Sequence, residues 1–73
     1  MTITSKFKKD INTLKCAVNG DFFLDVKNPK LYKKLKRYYV SEGLELTGED
    51  PDFDYANVIE CVRQDLESTP INN

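Results

Sequence analysis

The sequence contains no histidine and no tryptophan, only three glycines, and no long apolar run. Without histidine, the chain lacks the commonest general base and the commonest imidazole metal ligand, which excludes histidine triads and Cys-His dyads. None of the glycines belongs to a glycine-rich loop that could hold a phosphate in front of a helix. We therefore predict a protein that is not an enzyme and that binds no cofactor and no metal.

Membrane and export signals are also missing. No stretch approaches the roughly 18 apolar residues of a membrane span, and the first residues lack the apolar centre of a signal peptide. Cys16 and Cys61 are far apart in the sequence, and we interpret them as small, reduced core side chains. These features predict a soluble cytoplasmic protein.

The charges are unevenly distributed along the chain, although the net charge is only −1. Residues 1–40 carry ten Lys or Arg and three Asp, whereas residues 41–73 carry one Arg and nine Asp or Glu. In one interpretation the two halves face each other and neutralise each other within the fold. In the other, they form separate surfaces, one for polyanions and one for basic partners.

A helix is predicted over residues 29–42. Asn28 suits the N-cap, Pro29 the first helical position, and Gly43 the left-handed residue beyond the end. Leucines and tyrosines fall on one arc of this helix, which favours a core or interface role for the tyrosines over base stacking. The opposite, basic face forms a predicted binding strip that consists of Lys30, Lys33, Lys34, Lys36 and Arg37.

A second helix is predicted over residues 52–67, after an acidic stretch. It begins either at Pro51 with Asp50 as its cap, or at Tyr55 with Asp54 as its cap. The acidic stretch provides a second predicted binding patch, which consists of Glu45, Glu49, Asp50, Asp52 and Asp54.

The segment before the first helix permits two interpretations. Its apolar spacing fits a helix that ends at Asn19 or Gly20. The same Asn-Gly pair also fits the turn of a hairpin with strands at about residues 12–18 and 22–27. We favour the hairpin because its opposed pairs place apolar side chains on one face and mostly polar ones on the other.

The predicted fold class is therefore α+β. A single small domain, residues 1–73, would pack its N-terminal hairpin in two layers against helices 29–42 and 52–67. Residues 1–10 would form either a loose basic arm or the lead-in to the next element, and residues 69–73 a frayed tail.

Three stretches follow one another along the chain: the β-type residues 22–26, then Asn-Pro-Lys-Leu-Tyr-Lys-Lys-Leu-Lys-Arg-Tyr-Tyr-Val-Ser-Glu-Gly, and later Tyr-Ala-Asn-Val-Ile-Glu-Cys-Val-Arg-Gln-Asp-Leu-Glu. In this order they resemble the strand, first helix and second helix of ribbon-helix-helix proteins, over residues 22–67. The resemblance implies a dimeric DNA-binding repressor or antitoxin whose strands enter the major groove. The acidic stretch would then lie beside phosphate, where like charges repel.

We predict a small regulatory or inhibitory protein that binds another protein through segregated basic and acidic surfaces, a profile typical of bacterial or phage inhibitors and adaptors. The first alternative is a ribbon-helix-helix-type dimeric regulator or antitoxin that binds DNA. The second is a structural subunit of a larger assembly. A single core this small supplies only a few kcal/mol of stability. Pairing with a second copy of the chain would add to it, so a homodimer is compatible with the chain's size.

Overall fold

The computed structural model describes residues 3–68, and within that range the chain forms helices and no β-strand. Short loops connect the helices. The elements in chain order are α1 (Ile3–Lys6), a 3-10 turn (Lys8–Asp10), α2 (Ile11–Val18), α3 (Leu24–Lys27), α4 (Pro29–Ser41) and α5 (Pro51–Ser68).

The predicted α+β fold with an N-terminal hairpin is therefore wrong. The first predicted strand, residues 12–18, lies in α2, and most of the second, residues 22–27, lies in α3. The helical interpretation of this segment is the correct one. In the helix, Leu14 and Ala17 lie three positions apart and are both buried.

The Asn-Gly pair that suggested a hairpin turn is the C-terminal cap of α2. Gly20 has a φ angle of 86°, and its N–H bonds to the carbonyl of Ala17 at 3.1 Å. The N–H of Asp21 reaches back to the carbonyl of Cys16 at 3.0 Å. These bonds form a Schellman motif, which needs a left-handed residue just as a tight hairpin turn does. The pair therefore does not distinguish a helix end from a hairpin.

Helix α4 lies where the first helix was predicted. Oδ1 of Asn28 caps its start by accepting the N–H of Leu31 at 3.3 Å. Its end is a second Schellman motif, in which Gly43 has a φ angle of 110° and the N–H of Leu44 bonds to the carbonyl of Tyr39 at 2.9 Å.

Helix α5 begins at the earlier of its two predicted starts. Oδ1 of Asp50 accepts the N–H groups of Asp52 and Phe53 at 3.1 and 3.2 Å. Because the carboxylate lies at the positive end of the helix dipole, it stabilises the start of α5.

The core forms where α1, α2 and α4 pack against α5. Its buried apolar side chains come from every helix: Ile3, Phe7, Leu14, Ala17, Leu24, Leu31, Leu35, Tyr39, Val58 and Val62. Ile3 and Phe7, in the segment predicted as a basic arm, belong to this core, whereas Lys6, Lys8 and Lys9 are exposed.

The predicted frayed tail, residues 69–73, lies outside the described residues. None of the helices described combines the length and the apolar character that crossing a bilayer requires.

Candidate binding surfaces

The predicted basic strip lies on the outer face of α4. Lys30, Lys33, Lys34 and Arg37 are exposed. None of these four side chains forms an ion pair with a carboxylate of residues 3–68, where the ion pairs involve Arg63. We call these four residues the α4 basic face.

Lys36, the fifth residue of the predicted strip, has a different environment. It is half-buried, and its Nζ lies 5.1 Å from the centre of the Tyr32 ring, a cation–π contact. Its positive charge also helps to lower the pKa of Asp54. Lys36 therefore contributes to the contact between α4 and the start of α5, and it is not part of the α4 basic face.

The tyrosines of α4 lie on the side of the helix that faces the protein. Tyr38 contacts Phe7 edge to face at a centroid distance of 5.9 Å, and it contacts Tyr39 at 5.1 Å. The hydroxyl of Tyr39 donates to Oδ2 of Asp65 at 2.8 Å, which joins α4 to α5. The pKa of Tyr39 is raised, mainly because the side chain is buried and secondly because of this hydrogen bond.

A groove of about 480 Å³ lies beside the C-terminal half of α4. Its cations come from two distant parts of the sequence, Lys6 at the end of α1 and Lys34 and Arg37 on α4. The remaining lining side chains are Phe7, Asp10, Tyr38 and Ser41. The Lys6 Nζ lies 5.9 Å from the centre of the Tyr38 ring. We call this site the basic groove.

Sequence reasoning did not place Lys6 with the α4 cations. The packing of Phe7 against Tyr38 brings the two segments together, and no local pattern encodes that contact. The available signal was Phe7 itself, because a large aromatic residue within a run of lysines indicates a segment that is anchored to a core.

The five residues of the predicted acidic patch occupy different environments. Glu45, Glu49, Asp50 and Asp52 are exposed, and Asp50 caps α5. Asp54 is only 7% exposed. The exposed acidic surface therefore consists of the first four, and Asp54 lies beneath it.

Asp54 holds the loop between α4 and α5. Its Oδ1 accepts the N–H and the hydroxyl of Thr47 at 3.0 and 3.1 Å, and its Oδ2 accepts the N–H of Gly48 at 2.9 Å. Burial by itself raises the pKa of this carboxyl. The hydrogen bonds from Thr47 and Gly48, together with the charge of Lys36, outweigh burial, so the pKa of Asp54 is lowered.

The cation of the C-terminal half is paired within its own helix. Arg63 forms ion pairs with Glu60, one turn earlier, and with Glu67, one turn later, where Nη1 lies 2.9 Å from Oε2. These pairs lie along α5 and do not connect it to the α4 basic face.

A second aromatic cluster forms where α3, α4 and α5 meet. Tyr55 lies 5.4 Å from Tyr32 and 6.4 Å from Phe23 between ring centres, and its hydroxyl oxygen accepts the N–H of Leu24 at 3.0 Å. Burial and the nearby Asp25 raise the pKa of Tyr32 to about 12. Phe23 stays 57% exposed at the edge of the cluster.

The cysteines are free, and the interpretation of both as core side chains is wrong for Cys16, which is exposed. Cys61 is half-buried, and burial raises the pKa of its thiol. Within the part of the chain that the structure describes, no three Asp, Glu or Cys side chains converge as a metal site would require.

No protein-family model, no curated protein and no solved structure matches this chain. The residues of α3 are helical where the resemblance to ribbon-helix-helix proteins implies a strand. The resemblance itself stays a prediction, and the function has to be argued from the charge and shape of the surface.

Proposed function

We propose that this protein is a small, non-enzymatic regulator of the cytoplasm that acts by binding another protein through the α4 basic face. The main support is that none of the four cations pairs with a carboxylate in the described part of the chain, although the second half of the sequence is rich in carboxylates. Two of those carboxylates pair with Arg63 within α5, and Asp54 accepts hydrogen bonds from the loop before α5.

The spacing of the cations also supports a binding role, because it is unfavourable for the isolated helix. Lys30 lies three and four positions before Lys33 and Lys34, and Arg37 lies four and three positions after them. Like charges at these spacings are neighbours on the helix surface and destabilise it by about 0.2–0.5 kcal/mol per pair. A mixture of both signs would keep the face equally well hydrated without this cost. An anionic partner would offset the repulsion.

Titration with two polyanions tests this proposal. We expect poly-L-glutamate to bind at low salt and to bind more weakly at moderate salt. Most of the affinity should be lost when Lys33, Lys34 and Arg37 become Ala. The matched control replaces Lys8, Lys9 and Lys27, which are exposed cations outside α4, so that the net charge changes by the same amount. Equal losses in both triple variants would overturn the role of α4.

The α4 basic face also supports the alternative, a DNA-binding regulator, because the same cations could contact phosphates. Duplex DNA is therefore the second ligand in the titration. Tight, salt-sensitive DNA binding that the α4 variant loses would favour this alternative over a protein partner.

A further inference from the structure

The basic groove differs from an ordinary hydrated helix face because its cations come from two elements. Lys6 belongs to α1, while Lys34 and Arg37 lie one turn apart on α4. Their positions around one space depend on the contact between the buried Phe7 and Tyr38. Collecting three positive charges around one opening costs repulsion, and an anion bound between them would relieve it.

We propose that the basic groove binds a short acidic peptide segment of a partner protein, with two or more carboxylates held between Lys6, Lys34 and Arg37. This inference rests on the proposed function, which it makes more specific by naming the site and the kind of segment bound. The planar guanidinium of Arg37 can bind one carboxylate through two parallel hydrogen bonds. The two lysines act as point charges for a second carboxylate.

The lining favours a peptide over a nucleic acid. Asp10 and Ser41 add hydrogen-bond acceptors beside the cations. The Asp10 carboxylate repels a phosphodiester chain and the carboxylates of an acidic peptide alike, but it can accept a backbone N–H, which a peptide supplies at nearly every residue.

The aromatic side chains of the groove leave little free ring surface on which bases could stack. Phe7 is buried, and Tyr38 is already in contact with Phe7, Tyr39 and Lys6. Proteins that bind single-stranded nucleic acids combine a basic groove with exposed ring faces on which bases stack.

Two pairs of charge reversals on the same helix test the proposal. The groove pair is Lys34→Glu with Arg37→Glu, and the control pair is Lys30→Glu with Lys33→Glu, which lie outside the groove lining. Both pairs change exposed side chains and alter the net charge equally. The probe is a fluorescent octapeptide of alternating Asp and Gly, and circular dichroism verifies the fold of each variant.

We expect the groove pair to lower the affinity for the peptide by at least about tenfold, and the control pair to lower it by less than about threefold. A second contrast uses the N-terminal segment. Lys6→Glu, at the end of α1, should weaken binding of the peptide, whereas Lys9→Glu, which is exposed in the 3-10 turn and outside the lining, should not. The Lys6 contrast is independent of any change in α4, and it keeps the proposal testable if the groove pair does not fold.

Four results would overturn the inference, and they differ in what they leave standing. Equal losses in both pairs would place binding on the whole α4 basic face, which keeps the proposed function and removes the groove. Tighter, groove-dependent binding of a single-stranded oligonucleotide of equal charge would make the groove a nucleic-acid site. A dimer that the groove pair dissociates in sedimentation would make a second copy of this chain the occupant. Failure of every acidic probe would overturn the proposed function as well.

Discussion

At the scale of single residues, Asp54 shows how a carboxylate in an acidic stretch can have a structural role. We expect Asp54→Asn to lower the melting temperature at neutral pH by roughly 5 °C, because the loop loses a charged acceptor of three hydrogen bonds. Asp52→Asn, an exposed change in the same stretch, is the control and should have little effect. Thermal melts of the three proteins give the comparison.

The pH dependence of that loss has a defined sign. The pKa of Asp54 is lowered in the folded protein below its ordinary value of 3.8, so ionisation favours folding. Its contribution is complete above the ordinary pKa and is lost as the pH falls through the lower folded value. The difference in stability between the natural protein and Asp54→Asn should therefore narrow below about pH 4. A difference that stays constant down to pH 2 would contradict this role.

The hydroxyl of Tyr39 joins α4 to α5 through Asp65, and it permits a second test at this scale. We expect Tyr39→Phe to lower the free energy of unfolding by about 1.5–3 kcal/mol, the range for a hydrogen bond to a charged group. Tyr32→Phe removes a hydroxyl that makes no hydrogen bond within residues 3–68, so it is the matched control. Urea unfolding curves measure both variants, and equal midpoints for them would contradict the prediction.

At the scale of elements, the C-terminal cap of α2 stabilises the end of that helix. We expect Gly20→Ala to destabilise the protein by about 1–2 kcal/mol, because a side chain with Cβ is strained at a φ angle of 86°. No atom lies within 4 Å of the added Cβ, so the cost comes from the backbone conformation. Gly20→Asn should cost less, since Asn tolerates the left-handed region better. Equal losses for Ala and Asn in urea unfolding would contradict this explanation.

The helices differ in how clearly the sequence predicts them. Helices α4 and α5 carry polar N-caps, and their apolar spacing leaves no second interpretation. Helix α2 ends in Asn-Gly, and its apolar residues fit a strand as well as a helix. The packing of Leu14 and Ala17 against the core decided the outcome, and that tertiary contact is not visible in a local pattern. Exposure of Val26 in α3 shows that the apolar face of the predicted hairpin does not exist.

At the scale of the whole molecule, the separation of charge could be read from the sequence, whereas the shape of the site could not. The α4 basic face follows from a helical wheel, because exposure on an amphipathic helix follows its period. The basic groove needs Lys6 beside Arg37, which depends on where Phe7 packs. The burial of Asp54 depends likewise on a loop that folds back onto α5. The contact of Phe7 with Tyr38 is long-range, whereas the contacts of Asp54 join residues six and seven positions apart in a loop; periodicity reports neither.

The α4 basic face also implies a conflict between stability and binding. Lys34→Glu replaces repulsion from Lys30 and Arg37 with attraction, and we expect it to raise the free energy of unfolding by about 0.8–2 kcal/mol at low salt. Lys34→Gln removes the repulsion without adding attraction, so it should give about half of that gain. At 1 M salt the Debye length falls to about 3 Å, and both gains should nearly vanish.

Urea unfolding at the two salt concentrations, together with titration by the acidic peptide, measures both sides of this conflict. We expect Lys34→Glu to be the most stable of the three proteins and the weakest binder. If Lys34→Glu were less stable than the natural protein at low salt, the repulsion among the α4 cations would be too weak to need an explanation. In that case an ordinary hydrated helix face would account for α4 equally well.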